Sequence, residues 1–182
     1  MEPTLRASFL GLLLVSLFPQ CESGLASSEV EKEHRELRSI CGPNGDDCRK
    51  SCPVGWMYYE DYCYGLFEDH MTWADAEVHC QGVKSEAHLA SFSNQKELKK
   101  MAKYISTVQK GGGHVWIGLY DPAGSRYWKW TDLSFGSYYP WDDGEPNDTN
   151  ERCVHLAAHK GFEKLNDAFC QLEMPYICKY HL

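Results

Sequence analysis

Residues 144–170 read GEPNDTNERCVHLAAHKGFEKLNDAFC, and this stretch decides how the rest of the chain is understood. Five of its side chains offer oxygen in a telling arrangement. Glu145 and Asn147 flank Pro146, Glu151 stands shortly before Cys153, and Asn166-Asp167 stands shortly before Cys170. Three are carboxylates and two are amide carbonyls. A hard cation such as Ca²⁺ takes about 6–8 oxygen ligands, whereas thiolate and imidazole sets suit softer metals. Five side chains and a backbone carbonyl would leave coordination positions open. Two vicinal sugar hydroxyls could fill them, with the carboxylates accepting their hydrogen bonds and the amides donating. A Glu-Pro-Asn triplet alone would be a weak sign. The two further groups, each placed just before a cysteine, make it a strong one.

Upstream lies a loop-like region from Asp132 to Arg152, rich in Asp, Asn and Tyr and carrying Pro140, Gly144 and Pro146. It exceeds the usual length of about 12–15 residues for unstructured connections, which marks it as functional or held by a ligand. Tyr138, Tyr139 and Trp141 within it are expected to serve packing more than sugar contact. The segments around it alternate between strand and helix patterns. WMYYEDYCYGLF (56–67) reads as a hairpin pinned by Cys52 and Cys63. TWADAEVHC (72–80) reads as a helix with Thr72 as N-cap and Asp75 at N3, a near capping box. HLASF (88–92) is a short strand. Residues 94–105 form a second helix, capped by Asn94, with Glu97 at N3 and Leu98, Met101, Ala102 and Ile105 on one face. VWIGL (115–119) is a buried strand, RYWKWT (126–131) alternates like another, and CVHL and PYICKY close the domain.

The whole chain has 182 residues, 43% of them hydrophobic and 24% charged, which is globular composition. Its 26 Asp and Glu outnumber 18 Lys and Arg, for a net charge of −8. So acidic a chain is a poor candidate for binding a nucleic-acid backbone, which needs a basic face. Arg6 followed by the apolar run ASFLGLLLVSLF (7–18), Pro19 and the small residues Ser23, Gly24 and Ala26 has the layout of a signal peptide, assigned to residues 1–23. The run is too short for a hydrocarbon core, which takes about 20 apolar residues, so no membrane insertion is expected and the product is read as secreted and extracellular. Its removal takes Cys21 from the nine cysteines and leaves an even number, as suits an oxidising compartment. Residues 24–50 form a charged linker. Val30, Leu37 and Ile40 have heptad spacing but span too little for a coiled coil. Cys41 and Cys48 enclose a Gly-Pro-Asn-Gly-Asp-Asp turn and could close a small loop or bridge two chains.

Residues 51–182 resemble a C-type lectin domain of the long form. The features that carry the resemblance are Cys52 and Cys63, WADAEVHC ending at Cys80, HLASF, VWIGL, GEPN, Cys153-Val154, Asn166-Asp167, Cys170, and YIC ending at Cys178. Within the family the chain is similar to venom lectins and pancreatic regenerating proteins. The resemblance implies an α+β fold, with two helices packed on small antiparallel sheets, a long calcium-binding loop and disulfide staples. It implies the pairs Cys52–Cys63, Cys80–Cys178 and Cys153–Cys170, leaving Cys41 and Cys48 as surplus. It places the principal calcium ligands, which are also the sugar-binding residues, on Glu145, Asn147, Glu151, Asn166 and Asp167, with a cis Glu145–Pro146 bond. A Glu-Pro-Asn rather than Gln-Pro-Asp triplet implies mannose, fucose or N-acetylglucosamine, that is, glycans with equatorial vicinal 3- and 4-hydroxyls.

Three positions depart from the family pattern. Leu165 replaces a Trp before Asn166-Asp167. An auxiliary calcium site looks incomplete, because Asp121 and Asp148 match it while Ser125 and Arg152 occupy its acidic positions, so one calcium is expected. Asn147-Asp148-Thr149 is formally an N-glycosylation sequon, and a glycan on Asn147 would destroy the calcium site; the ligand reading is preferred. The alternative function is a sugar-independent protein-binding module of the same fold, of the kind that acts in venom or modulates haemostasis. An enzyme is not expected, since no nucleophile elbow, zinc-protease helix or phosphate loop occurs. A single shallow site of this kind binds weakly, so a homo-oligomer is expected to supply avidity.

Overall fold

The computed structural model describes residues 51–182. The expected signal segment at 1–23, the linker at 24–50 and the pairing of Cys41 with Cys48 lie outside the described residues. The first hairpin joins β1 (Met57–Tyr59) to β2 (Tyr62–Met71). Its two turn residues, Glu60 and Asp61, have φ of 47° and 64°. Left-handed values at both positions are what a two-residue hairpin needs to match strand twist. Here they are reached without glycine, and the Tyr58 hydroxyl donates to Asp61 at 3.0 Å across the turn.

Helix α1 (Trp73–Val83) starts where expected and runs one turn past Cys80. The Asp75 amide donates to the Thr72 hydroxyl at 3.3 Å, and that hydroxyl donates to the Asp75 carboxylate at 2.6 Å. Trp73, Ala76, Glu77 and Cys80 form its buried stripe at helical spacing. Next come β3 (His88–Leu89) and helix α2 (Gln95–Val108), the latter longer than the sequence pattern indicated. Asn94 accepts from the amides of Lys96 and Glu97 at 2.9 and 3.0 Å, a strong N-cap. Glu97 turns back to accept from the Ser93 amide at 2.8 Å.

The remaining strands are β4 (Val115–Tyr120), β5 (Lys129–Trp130), β6 (Cys153–Leu156), β7 (Leu165–Ala168) and β8 (Met174–His181). They join one sheet in the order β1-β2-β8-β4-β6-β7, with β3 added on β8 and β5 on β4. All pairings are antiparallel except β4 with β8, which meet in parallel at Trp116 and Tyr176. The sheet is therefore mixed rather than a set of small antiparallel sheets. HLASF and RYWKWT contribute only two strand residues each, with further backbone bonds to β8 and β4 just beyond them. Ala90 donates to Ile177 at 2.8 Å and accepts from Gly118 at 3.0 Å, while the Thr131 amide donates to Gly118 at 2.9 Å.

Disulfides link Cys52 to Cys63, Cys80 to Cys178 and Cys153 to Cys170, as the resemblance implied. The second spans 98 residues and ties α1 to β8. A loop of about 100 residues closed in this way contributes roughly 4.7 kcal/mol on the chain-entropy view. The core collects Leu98, Met101, Ala102 and Ile105 of α2 against Val115, Ile117, Leu119, Trp130, Val154 and Leu156. Two indoles stitch its layers: Trp73 donates to the Ile117 carbonyl at 2.8 Å, and Trp116 to the Met71 carbonyl at 3.1 Å.

One buried ion pair was not legible in the sequence. Lys179 of β8 reaches Glu97 of α2 at 2.8 Å and also donates to the Ser91 carbonyl at 3.2 Å. The Tyr64 hydroxyl donates to the same carboxylate. Burial raises the Glu97 carboxyl, but Lys179 and these hydrogen bonds outweigh it and hold the group below its ordinary range. Removing one partner of such a pair typically costs about 3–5 kcal/mol, because the other is left buried and unpaired.

Gly118 of β4 is a close backbone approach to β3. A Cβ there would lie 2.5 Å from the Leu89 carbonyl oxygen and 2.7 Å from the Thr131 hydroxyl. Gly118→Ala is expected to lower unfolding stability by about 1–3 kcal/mol, as overpacking does, read as an earlier urea midpoint. An unchanged midpoint would show that β4 can shift away from Leu89 without cost.

Candidate functional site

The long loop is held in place by aromatic packing and by β7. Pro140 accepts from the Leu165 amide at 3.0 Å, and the Asp142 amide donates to the Leu165 carbonyl at 2.8 Å. Trp141 packs on Trp128 at 4.9 Å between ring centres, Tyr138 meets Phe92, and Tyr139 meets Trp130. These three aromatics are half-buried packing residues. Leu165 itself is fully buried in the core, so the missing Trp is replaced by an aliphatic anchor.

With the loop anchored, the Glu145–Pro146 bond is cis. The Asn147 side-chain amide donates to Glu145 at 3.0 Å, and its backbone amide donates to Asp167 at 3.3 Å. Asn166 and Asp167 sit on β7 opposite His155 and Val154 of β6. Glu151 sits just before β6 and couples to Asp167 through its charge. The structure thus brings Glu145, Asn147 and Asp167 into direct contact, with Asn166 adjacent on the strand and Glu151 on the flank.

The electrostatics are those of a site short of positive charge. Burial and the nearby charges of Asp167 and Glu151 together push the Glu145 carboxyl above its ordinary range. Burial, Asp167 and Asp148 push Glu151 the same way. Asp167 is only 2% exposed. Three oxygens are buried without a hydrogen-bond partner: Glu145 Oε2, Asn166 Oδ1 and Asp167 Oδ2. Buried acceptors left unpaired are costly and call for a partner. Because all three are oxygens from acids and an amide, the donor set fits a hard cation. Among the described residues no three His, Cys, Asp or Glu groups stand ready to hold an ion by themselves. The amide oxygens of Asn147 and Asn166 would therefore have to take part.

The neighbouring residues do other work. Asp121 accepts from the amides of Ala123 and Arg126 at 3.1 and 2.6 Å, and Asp148 accepts from the Asn150 backbone and side-chain amides at 2.9 and 3.0 Å. Both matched acids of the auxiliary position are thus engaged in local turns. His155 lies buried behind β7; burial and nearby His114 lower it to about 4, so it is neutral at physiological pH. Sequence reading did not single out His155, which carries no spacing motif to find it by.

Comparison with known proteins agrees with this fold. Residues 69–180 match the family model described as the lectin C-type domain. The chain is 43% identical over 146 residues to the C-type lectin lectoxin-Enh5 of Pseudoferania polylepis, covering 79% of this chain and 90% of that protein. It is 43% identical over 130 residues to a C-type lectin mannose-binding isoform of Oxyuranus scutellatus, covering 70% of this chain and 82% of that protein. Among solved structures, human lithostathine superposes with a TM-score of 0.71 at 37% identity, covering 75% of this chain and 94% of that one. With the α+β fold, the three disulfides and the loop-borne acid and amide cluster all in place, this chain belongs to the C-type lectin domain family.

Proposed function

We propose that the chain is a secreted, calcium-dependent lectin for glycans with equatorial vicinal 3- and 4-hydroxyls, of the mannose, fucose or N-acetylglucosamine type, and not an enzyme. The observation that carries this reading is the convergence of Glu145, Asn147 and Asp167 with three buried oxygens unpaired. Glu145, Asn147, Glu151, Asn166 and Asp167 would hold the cation, which when bound supplies a Lewis-acid contact to sugar hydroxyls. The protein's own part is donor and acceptor order. Glu145 presents an acceptor and Asn147 a donor, so a diol whose two oxygens each accept from one neighbour and donate to another is matched. The name of the Oxyuranus scutellatus relative, a mannose-binding isoform, supports the same sugar class. Secretion is consistent with the N-terminal run and with the disulfides; among the described residues no helix is long and apolar enough to cross a membrane. The sequon at Asn147 is read as unused, because its amide is already turned onto Glu145. Sites of this size bind singly with about millimolar affinity, so a homo-oligomer supplies useful avidity.

A sugar-independent protein-binding role is the second reading. It is favoured by Leu133 and Phe135, which stand 79% and 100% exposed on the long loop. Retention on mannose-agarose, with and without chelator, separates the two.

Asn166→Ala and Glu145→Ala are each expected to abolish calcium-dependent retention on mannose-agarose while near-ultraviolet circular dichroism stays native. Full retention in excess chelator would sink the calcium requirement.

Specificity follows donor and acceptor order. The double change Glu145→Gln with Asn147→Asp reverses that order and is expected to shift preference towards galactose. Equal elution of both proteins by both sugars would show that the order does not select.

The pH dependence has a definite sign. Glu145 and Glu151 have raised folded-state carboxyls when no cation neutralises them. Their ionised forms are disfavoured in the fold, so in the absence of a cation these two groups contribute stability at low pH and lose that contribution as pH rises through the carboxylate range, opposite in sign to Glu97. Calcium binding needs the ionised forms, so protons compete and apparent calcium affinity drops on acidification. Sugar release is expected between about pH 6 and about pH 4 at limiting calcium, and at lower pH when calcium is saturating. A release midpoint independent of calcium concentration would rule out this linkage.

A further inference from the structure

The acidic chain carries one concentrated basic face. Residues 96–103 read KELKKMAK, placing Lys96, Lys99, Lys100 and Lys103 on α2 at i, i+3, i+4 and i+7. That spacing puts all four on one side of the helix. The opposite side is committed to the core through Leu98, Met101, Ala102 and Ile105. The helix has a single acid, Glu97, and it is buried and bound to Lys179, so it neutralises none of the four. All four lysines are exposed and, with Gln95, line a shallow groove. Glu60 approaches Lys96 at 3.8 Å; among the described residues Lys99, Lys100 and Lys103 make no ion pair.

Local stability does not explain the arrangement. Like charges three and four residues apart weaken a helix. Lys96 lies in the first turn, the end of the helix dipole that favours anions, and the last turn holds no basic residue. The charges are thus set where the helix gains least from them. α2 also packs on β1 and β2, at the far end of the sheet order from β6 and β7, which carry the calcium-type site.

We propose that this lysine face is a second, calcium-independent binding site for a sulfated polysaccharide chain of the glycosaminoglycan class. An extended polymer with repeated sulfates matches a linear row of ammonium groups. Lysine suits it as a compact point charge that demands no bidentate geometry. The remainder of the protein, net negative, repels a polyanion and leaves this face as the landing point. Duplex nucleic acid, with its rigid and broad charge array, is less well matched by one helix, and the groove, lined by Gln95 and the four lysines, offers no apolar side chain to enter a lipid surface.

The test uses the secreted protein on heparin-agarose, with DNA-agarose and phosphatidylserine vesicles as competing surfaces. The expected result is retention at low ionic strength, unaffected by chelator, with affinity falling steeply between about 50 and about 200 mM NaCl. The fourfold variant Lys96→Gln, Lys99→Gln, Lys100→Gln, Lys103→Gln is expected to lose at least about tenfold in affinity. It should keep calcium-dependent mannose retention and a native thermal transition. A variant that fails to fold is replaced by the pair Lys99→Gln, Lys100→Gln, which is expected to show a smaller loss in the same direction. The proposal is overturned if the natural protein passes through heparin at low salt, if chelator abolishes retention, or if the variants bind as well as the parent. Tighter binding to DNA or to vesicles than to heparin would overturn the assigned class. Failure of the mannose site would leave heparin retention intact, so the two readings fail separately.

Discussion

Strand β8 is the member on which the other parts depend. It bonds to β2 along most of its length, to β3 through Lys179 and Cys178, and to β4 at Tyr176. It also carries one half of the longest disulfide and the cation that neutralises Glu97. Yet β8 lies at the C-terminal end of the chain. Helix α1, which packs on β3 and β8, is not fixed on the sheet until residues 174–181 arrive. Closing so large a loop costs entropy before any contact rewards it, which makes folding slow in topologies of this sort. The Cys80–Cys178 bond then removes that same loop entropy from the unfolded state.

The rigid frame matters because the site at its other end works against stability. Glu145, Glu151 and Asp167 repel one another, and three of the surrounding oxygens find no partner. Such groups persist only where the surroundings over-determine them. Here the surroundings are the Cys153–Cys170 bond, the four-residue ladder between β6 and β7, and the Trp141 contact that pins the loop to Leu165. A cation would remove the repulsion and supply the missing partner to all three oxygens. The cluster therefore lowers stability, as groups at binding sites commonly do.

The helices show the opposite use of charge. Glu97 and Lys179 are a neutral pair inside, held by Tyr64 and Ser91, and leave the α2 surface uniformly positive. Taking the only acid of the helix inward is thus both a packing device and the reason for an unneutralised outer face.

Much of this was readable from local chemistry. Both helices follow from their caps at Thr72 and Asn94 and from 3.6-residue periodicity. The buried strand VWIGL follows from its unbroken apolar run, and the oxygen-bearing side chains that come into contact, Glu145, Asn147 and Asp167, stand out around Pro146 and before Cys170. Each of these signals lies within a few residues, so the sequence by itself suffices. Other features depended on residues far apart. HLASF reads as a short strand and RYWKWT alternates like one, but regular pairing is kept only at His88–Leu89 on β8 and Lys129–Trp130 on β4, which partner strands distant in the chain decide. The Glu97–Lys179 pair joins residues separated by 82 positions, and either residue alone reads as an ordinary surface charge. Leu165 could stand in for an aromatic only because Trp141 comes to lie beside it. Likewise the sequence named the acids of the site, but which oxygens end buried and unpaired was set by how tightly β7 and the cis turn close on each other, a matter of packing that no local pattern encodes.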